Sequence, residues 1–440
     1  MRLSRSVPVA LGVLLVVASA ATATDWSPAS PVAEIPTGFH AFGLTLHVGP
    51  RGVPTASWDQ GPDDEFGQVM WAREGRTRWS SPRLVPGDDV GGLYANSHEW
   101  TVRFGSRQDT ARRGVPGHRF RAPELIGPDA NSNYYESVTA GNGTSVFVAV
   151  VPRRRRHSGH LFVALRRPGR PFAAERLVWR APVPVDAFDA GLNARGDGLL
   201  VWASRWSVLA TRIRHGQIGP VHRVAPTGGR VEWLSTDIAG DGSGVISWLV
   251  PSVRRELRVV RFAPPGRSGD FHVIARARRA YPISAAGGVL ALATRDGGLL
   301  VWEGPARRTS AITRVWALAL RNRHAGDRQP LSARGRAGNW VVGNTSHQGT
   351  MAVLWRERSS DVRRGHRWNL YAAERRARGW IHRRQLVSAR TAVEDYEADL
   401  AFNPCTARPM AIWLIPPGSE PRRIVSATGP RVERRQSACR

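Results

Sequence analysis

The sequence predicts an all-β chain folded as a single β-propeller of about eight four-stranded blades, with seven blades as the alternative. Three markers that recur in the same order about every fifty residues predict it. Repetition at that period is the signature of a stacked or ring-shaped array, in which each unit buries its faces on its neighbours.

The first marker is a short apolar run that ends in or centres on a large side chain: Val53 to Trp58, Val146 to Val151, Leu199 to Trp202, Val245 to Trp248, Leu299 to Trp302, Met351 to Trp355 and Met410 to Trp413. Each has strand length, and most follow a turn such as Arg195-Gly196-Asp197-Gly198 or Gly240-Asp241-Gly242, so they are second strands of hairpins. The second marker is an aromatic residue 14 to 17 positions before the end of that run, at Phe42, Tyr135, Phe188, Trp233, Trp340 and Tyr396. Tyr281 holds the same place at the longer interval of 21. These aromatics mark inner strands. The third marker is a closing segment for an outer strand: Trp79 to Leu84, Phe120 to Ile126, Phe172 to Val178, Ile218 to Val224, Phe271 to Ile274 and Trp380 to Val387. Third strands fit between, at Leu161 to Arg166, Leu257 to Phe262 and Trp368 to Ala373. Units start near 39, 90, 132, 185, 230, 281, 338 and 394, and the second leaves little room for a third strand. Either Trp26 to Ile35 or Pro430 to Arg434 is placed to complete the last unit. Seventeen tryptophans, about two per unit, suit the wedges between blades, where large aromatics bury most area.

Residues 1–23 form a secretory signal: Arg2 and Arg5, an apolar run from Val7 to Val17, then small residues at Ala18 to Ala23. The run is too short to span a bilayer, which needs roughly 20 apolar residues. Residues 24–38 follow as an N-terminal segment that can close the ring, and 39–440 form the propeller. An exported, extracytoplasmic or wall-associated monomer is expected, without a membrane span after cleavage. In an oxidising compartment Cys405 and Cys439 can form a structural bridge.

The chain has 440 residues and a formal charge of +28, with no lysine, so all 63 basic residues are arginine. Within a propeller unit the connection between strands two and three and the one leading to the next inner strand emerge on the same face. The two–three connections hold Arg112 and Arg113, Arg153, Arg154, Arg155 and Arg156, Arg254 and Arg255, Arg307 and Arg308, Arg363 and Arg364, and Arg422 and Arg423. The first unit departs with Asp63-Asp64-Glu65, and the fourth has only Arg205. Such a set can be a solubilising rim, or an electropositive face whose guanidinium forks hold carboxylate, sulfate or phosphate groups. The connections leading to inner strands bring Tyr135 with Glu136, Asp189, Glu232 with Trp233, Trp340, and Glu394 with Tyr396. Rings beside carboxylates either pack the inner edge of the ring or line a sugar site, where a carboxylate pair can also cleave a glycosidic bond. His157 and His160 supply too few ligands for a metal site, and neither a phosphate-binding loop nor a nucleophile elbow occurs in a fitting context. No cofactor or metal is expected.

The segment Trp79-Ser80-Ser81-Pro82-Arg83-Leu84, with Gly-rich hairpins leading to Trp-ended strands, resembles secreted propellers with sialidase-like repeats. The resemblance implies a propeller fold and glycan-related chemistry. The Asp box of those families is not reproduced around Asp197, Asp241 or Asp296, so their catalytic roles pass to no residue here. The reading is a non-catalytic exported propeller that recognises an anionic polymer, a wall phosphate polymer or acidic polysaccharide, through its arginine-rich face. The alternatives are a sialidase-like hydrolase or lyase acting at the channel mouth, or a protein-interaction scaffold. Nucleic acid is chemically similar but disfavoured by export.

Overall fold

The structure, a computed structural model, describes residues 26–430 except 50, 63–67, 86–89, 96–99, 105–109, 115–123, 127–133, 153–158, 181–184, 252–255, 266–270, 272, 281–287, 306–311, 322–323, 334–337, 359–367, 377–378, 387–396 and 416–421. The signal region, Tyr281, Tyr396 and Cys439 lie outside the described residues.

Turn chemistry and alternating apolar runs make this chain all-β, and the described residues form eight antiparallel sheets in a propeller-like arrangement. The opening strand β1 (Ser30–Glu34) stands apart from its neighbours in sequence. The first sheet is β2 (His40–Val48), β3 (Pro54–Gly61), β4 (Gln68–Arg73) and β5 (Arg83–Leu84). The second is β6 (Val90–Ala95), β7 (Trp100–Phe104), β8 (Thr110–Gly114) and β9 (Glu124–Leu125), so the short second unit does hold a third strand, followed by a two-residue outer one. The third is β10 (Tyr134–Thr139), β11 (Ser145–Pro152), β12 (Gly159–Arg166) and β13 (Arg176–Arg180). The fourth is β14 (Val185–Leu192), β15 (Gly198–Ser204), β16 (Ser207–Arg214) and β17 (Gln217–Ile218), with β18 (His222–Pro226) also on β16. The fifth is β19 (Trp233–Ile238), β20 (Gly244–Val250), β21 (Glu256–Phe262) and β22 (Val273–Ala280).

The sixth sheet is β23 (Val289–Thr294), β24 (Gly297–Pro305), β25 (Thr313–Arg321) and β26 (His324–Pro330). Its inner strand begins at Val289, beyond the position that Tyr281 marked, because the preceding outer strand β22 runs on to Ala280. The seventh is β27 (Gly338–Thr345), β28 (Met351–Arg358), β29 (Trp368–Arg376) and β30 (Gly379–Gln385). The eighth takes β31 (Ala398–Phe402), β32 (Pro409–Ile415) and β33 (Arg423–Thr428), and its fourth strand is β1, paired with β33 from Ser30↔Ser426 to Glu34↔Arg423.

The core lies between sheets. Second-strand residues are apolar on both sides because both faces of each sheet are covered, and β15 and β20 are buried along their whole length. Trp58, Trp202, Trp248, Trp302, Trp355 and Trp413 stand on second strands and are almost wholly buried. At about 25 cal/mol per Å2, each indole contributes several kcal/mol of burial. Val32 and Ile35 share one apolar cluster with Leu44, Leu46 and Trp58 of the first sheet and Ile412, Leu414 and Ile424 of the eighth. The Trp79 indole N–H donates to Ser426 Oγ across this seam at 3.0 Å.

Inner strands pack side by side and are stitched by their own polar side chains. The Asp189 carboxylate on β14 accepts the amide of Thr236 on β19, and Asp237 on β19 accepts that of Ala293 on β23 at 2.7 Å. Ser235 Oγ accepts the Ala291 amide at 3.1 Å, Asn344 Nδ2 donates to the Leu400 carbonyl at 3.2 Å, and Asp399 on β31 accepts the Leu46 amide on β2. These bonds satisfy donors that side-by-side inner strands otherwise leave buried.

Candidate functional site

The hairpin turns that join first to second strands meet at one end of the molecule. Asn142 Nδ2 donates to the Arg195 carbonyl of the next turn, Asn193 Nδ2 to Ala239 at 3.1 Å, Ser243 Oγ to Thr294 at 3.3 Å, and Asn403 Nδ2 to Gly52 at 2.8 Å. Gly196, at φ +80°, is required where its turn crosses Thr144, since a Cβ would stand 2.3 Å from Thr144 Oγ1. A cavity of about 540 Å3 opens among five of these turns, lined by Arg195, Asp241, Thr294, Arg295, His347 and Gln348.

Arginine serves this end structurally. From third strands, Arg212 donates to the Gly242 carbonyl at 2.8 Å and the Ala263 carbonyl at 3.1 Å, and Arg261 to the Arg295 carbonyl at 2.6 Å. Burial pulls the Arg166 and Arg212 guanidinium groups down to about 10, and a nearby Arg214 charge adds to the effect on Arg212. Part of the chain's arginine excess is therefore internal, which residue counts alone do not reveal.

Because the first-to-second turns share one end, the second strands end and the third strands begin at the other. Arg153, Arg154, Arg155, Arg156, Arg254, Arg255, Arg307, Arg308, Arg363 and Arg364 lie outside the described residues, in the stretches of chain between second and third strands. Three members of the expected set fall on strands instead. Arg112 and Arg113 belong to β8 itself, where Thr110–Gly114 pairs with β7, and Arg423 opens β33. Arg422 donates from Nη1 to the Phe39 carbonyl at 3.1 Å, tying the last sheet to the approach to β2.

Of the aromatic and acidic candidates, Tyr135 and Glu136 lie on β10, paired with Ala149 and Val148. Trp340 lies at the irregularity of β27 between Asn339 and Val341, and Tyr396 and Glu394 lie outside the described residues. The Asp189 carboxylate is engaged by the Ala190 and Thr236 amides, so an assignment as a catalytic acid or base conflicts with its use as an inter-sheet tie. Glu232 is exposed beside Trp233, which is itself 48% exposed on β19.

Sequence reasoning overlooked Trp206. It occupies the two-residue turn between β15 and β16 and is 61% exposed, with the Arg205 guanidinium 4.8 Å from its ring centre. The signal was present, since a tryptophan in a tight polar turn has no core to enter. Sequence reasoning also overlooked Asp59 on β3. Its carboxyl is pushed up to about 7, chiefly by burial and then by the charge of Glu397. Glu397 accepts the Gly43 and Leu44 amides at 3.3 and 3.1 Å, while a Cβ on Gly43 would lie 2.9 Å from Asp59 Oδ2. Gly43, at φ +62°, thus separates two carboxyl groups at the seam between the first and eighth sheets.

No family model and no curated protein matches the chain. Among solved structures it is similar to a polysaccharide lyase of family PL25, an ulvan lyase, at 10% identity and a TM-score of 0.44, over 80% of this chain and 94% of that one. It is also similar to the β-propeller domain of the Trilobed protease from Pyrococcus furiosus, at 8% identity and a TM-score of 0.44, over 90% and 97%. The NanB sialidase from Streptococcus pneumoniae superposes at 9% identity and a TM-score of 0.39, over 92% and 70%. At these values no activity or residue role passes from them to this chain.

Proposed function

We propose that this chain is an exported, eight-bladed propeller, closed between its first and eighth sheets, that binds an anionic polymer on the face opposite its hairpin turns. The observation that carries the reading is the convergence of the first-to-second turns at one end. In a sheet of alternating strand direction this sends the second-to-third connections to the other end, and four of those connections hold adjacent arginines at Arg153 to Arg156, Arg254 and Arg255, Arg307 and Arg308, and Arg363 and Arg364. Planar guanidinium groups gathered on one face attract a polyanion at long range and grip its oxyanions in pairs. Export through residues 1–23 and a bridge between Cys405 and Cys439 belong to the same reading.

The test is a salt titration of binding to two polyanions, polyphosphate and polygalacturonate. Association with one or both at about 50 mM salt, weakening at least tenfold by about 200 mM, is expected from multiple ion contacts. The combined substitutions Arg254→Gln, Arg255→Gln, Arg363→Gln and Arg364→Gln should flatten that dependence. An absence of binding to either polymer at about 50 mM, or a slope untouched by the substitutions, overturns the reading.

A further inference from the structure

The described part of the arginine-bearing face holds two exposed indoles, and a charged rim alone does not account for them. Trp206 caps the turn between β15 and β16, and Trp233 opens the inner strand β19. Exposed tryptophan is unfavourable for solubility, so a rigidly held one in a polar setting calls for a partner. Both are rigidly held. Arg205 covers one face of the Trp206 ring, and the backbone around it is fixed by Thr227, whose amide donates to the Trp206 carbonyl at 3.1 Å and whose hydroxyl donates to the Arg205 carbonyl at 2.9 Å. Trp233 donates from its indole N–H to the Val289 carbonyl at 3.2 Å, and its ring lies against Gly288, where a Cβ would stand 2.6 Å from Cζ2.

A short run of chain leads from Thr227, which holds the Trp206 turn, to Trp233. Thr227 and Trp233 are six positions apart, so their Cα atoms are separated by no more than about 22 Å even in full extension. Between them lie Gly228, against which the Arg258 guanidinium is packed, Gly229, and the exposed Arg230. The acids of this tract have their own ties: Glu256 pairs with Arg258 at 3.1 Å, and Asp186 feels the Arg230 charge. Glu232 is exposed beside Trp233. The tract therefore offers two flat apolar platforms, with guanidinium groups at Arg205 and Arg230 and one free acid.

We infer that this tract is a subsite for an acidic polysaccharide, whose sugar rings lie on Trp206 and Trp233 while its carboxylates meet Arg205 and Arg230. The inference rests on the polyanion reading and narrows it. A phosphate polymer without rings has nothing to lay on an indole, whereas a pyranose presents an apolar C–H face to the ring and an acid to the guanidinium beside it.

The experiment compares polygalacturonate, which has rings and carboxylates, with polyphosphate, which has charge without rings, and dextran, which has rings without charge. Affinities are measured for the full chain and for Trp206→Ala and Trp233→Ala, with near-ultraviolet circular dichroism to confirm the fold. Polygalacturonate should bind at least tenfold tighter than either other polymer, and Trp206→Ala should weaken it at least tenfold while leaving polyphosphate affinity unchanged. Because Trp206 is a surface turn residue, its truncation leaves folding intact even if Trp233→Ala does not. Equal binding of polyphosphate and polygalacturonate, insensitive to Trp206→Ala, overturns this subsite and leaves the polyanion reading standing. Equal binding of dextran overturns the acidic character of the ligand. Failure of both charged polymers to bind overturns both readings together.

Discussion

Asp399 on β31 accepts the amide of Leu46 on β2 at 2.7 Å, joining a residue near the end of the chain to one near its start. Its second oxygen accepts the Leu400 amide at 2.7 Å, so one buried carboxylate serves two backbone donors. Asp399→Ala strands both, and each buried unpaired N–H costs about 1–3 kcal/mol. A loss of about 2–5 kcal/mol in urea unfolding is expected, with the first and eighth sheets showing the largest gain in amide exchange. An unchanged midpoint would remove the seam from this account.

The carboxyl groups at this seam and between the fifth and sixth sheets make stability depend on pH in an unusual direction. Burial raises Asp59 to about 7 and Asp237 and Asp399 to about 6 in the folded chain, against about 4 unfolded. A raised folded value favours the native state below about pH 4, and that advantage is lost as pH climbs through 6 to 7. Stability should therefore fall between about pH 4 and 7. Asp59→Asn should match the parent near pH 4 and exceed it near pH 8 by roughly 2–4 kcal/mol. Parallel curves for the two proteins would sink the prediction.

Trp355 on β28 stacks on Tyr371 with ring centres 5.9 Å apart and donates to Glu357 Oε1 at 3.0 Å. Trp355→Ala opens a cavity and leaves a buried acceptor short of a donor, for a cost of about 3–5 kcal/mol. Trp355→Phe retains most of the packing and should lose less than half of that. Equal losses would mean that the hydrogen bond, not the volume, dominates.

Arg212 ties the fourth sheet to the fifth through the Gly242 and Ala263 carbonyls, over the Phe271 ring at 4.9 Å. Arg212→Met keeps the volume and removes both donors, so a loss of about 1–3 kcal/mol is expected. Faster exchange at the Gly242 amide should accompany it. If exchange there is unaltered, the guanidinium does not hold the turn.

The rhythm of this fold was legible because hairpins with Gly and Asp turns precede second strands that must be apolar on both faces, and tryptophan marks their ends. The sixth inner strand escaped that reading because Val289–Thr294 contains no aromatic and closes through a turn of two residues, so Tyr281 drew attention eight positions too early. A count of arginines does not separate surface from interior, and Arg166, Arg212 and Arg261 are drawn inward by carbonyls that belong to other turns or neighbouring sheets. No local pattern announces that. Asp189 looked like a site acid for the same reason: a carboxylate that bonds the next inner strand, as Asp237 and Asp399 also do, is recognisable only once the strands are side by side. Trp206 was readable in principle, since a large ring in a two-residue turn conflicts with every packing role.

The pairing of Ser30–Glu34 with Arg423–Thr428 places a demand on the order of events during synthesis. A ribosome delivers the former nearly four hundred residues before the latter. The unmated edge must wait, solvated and open to wrong partners, while seven sheets assemble behind it. Mating of the two strands is thus a late docking step, and a nascent chain stalled short of Arg423 should remain sticky and protease-sensitive around Ser30–Glu34, however well ordered the sheets between have become.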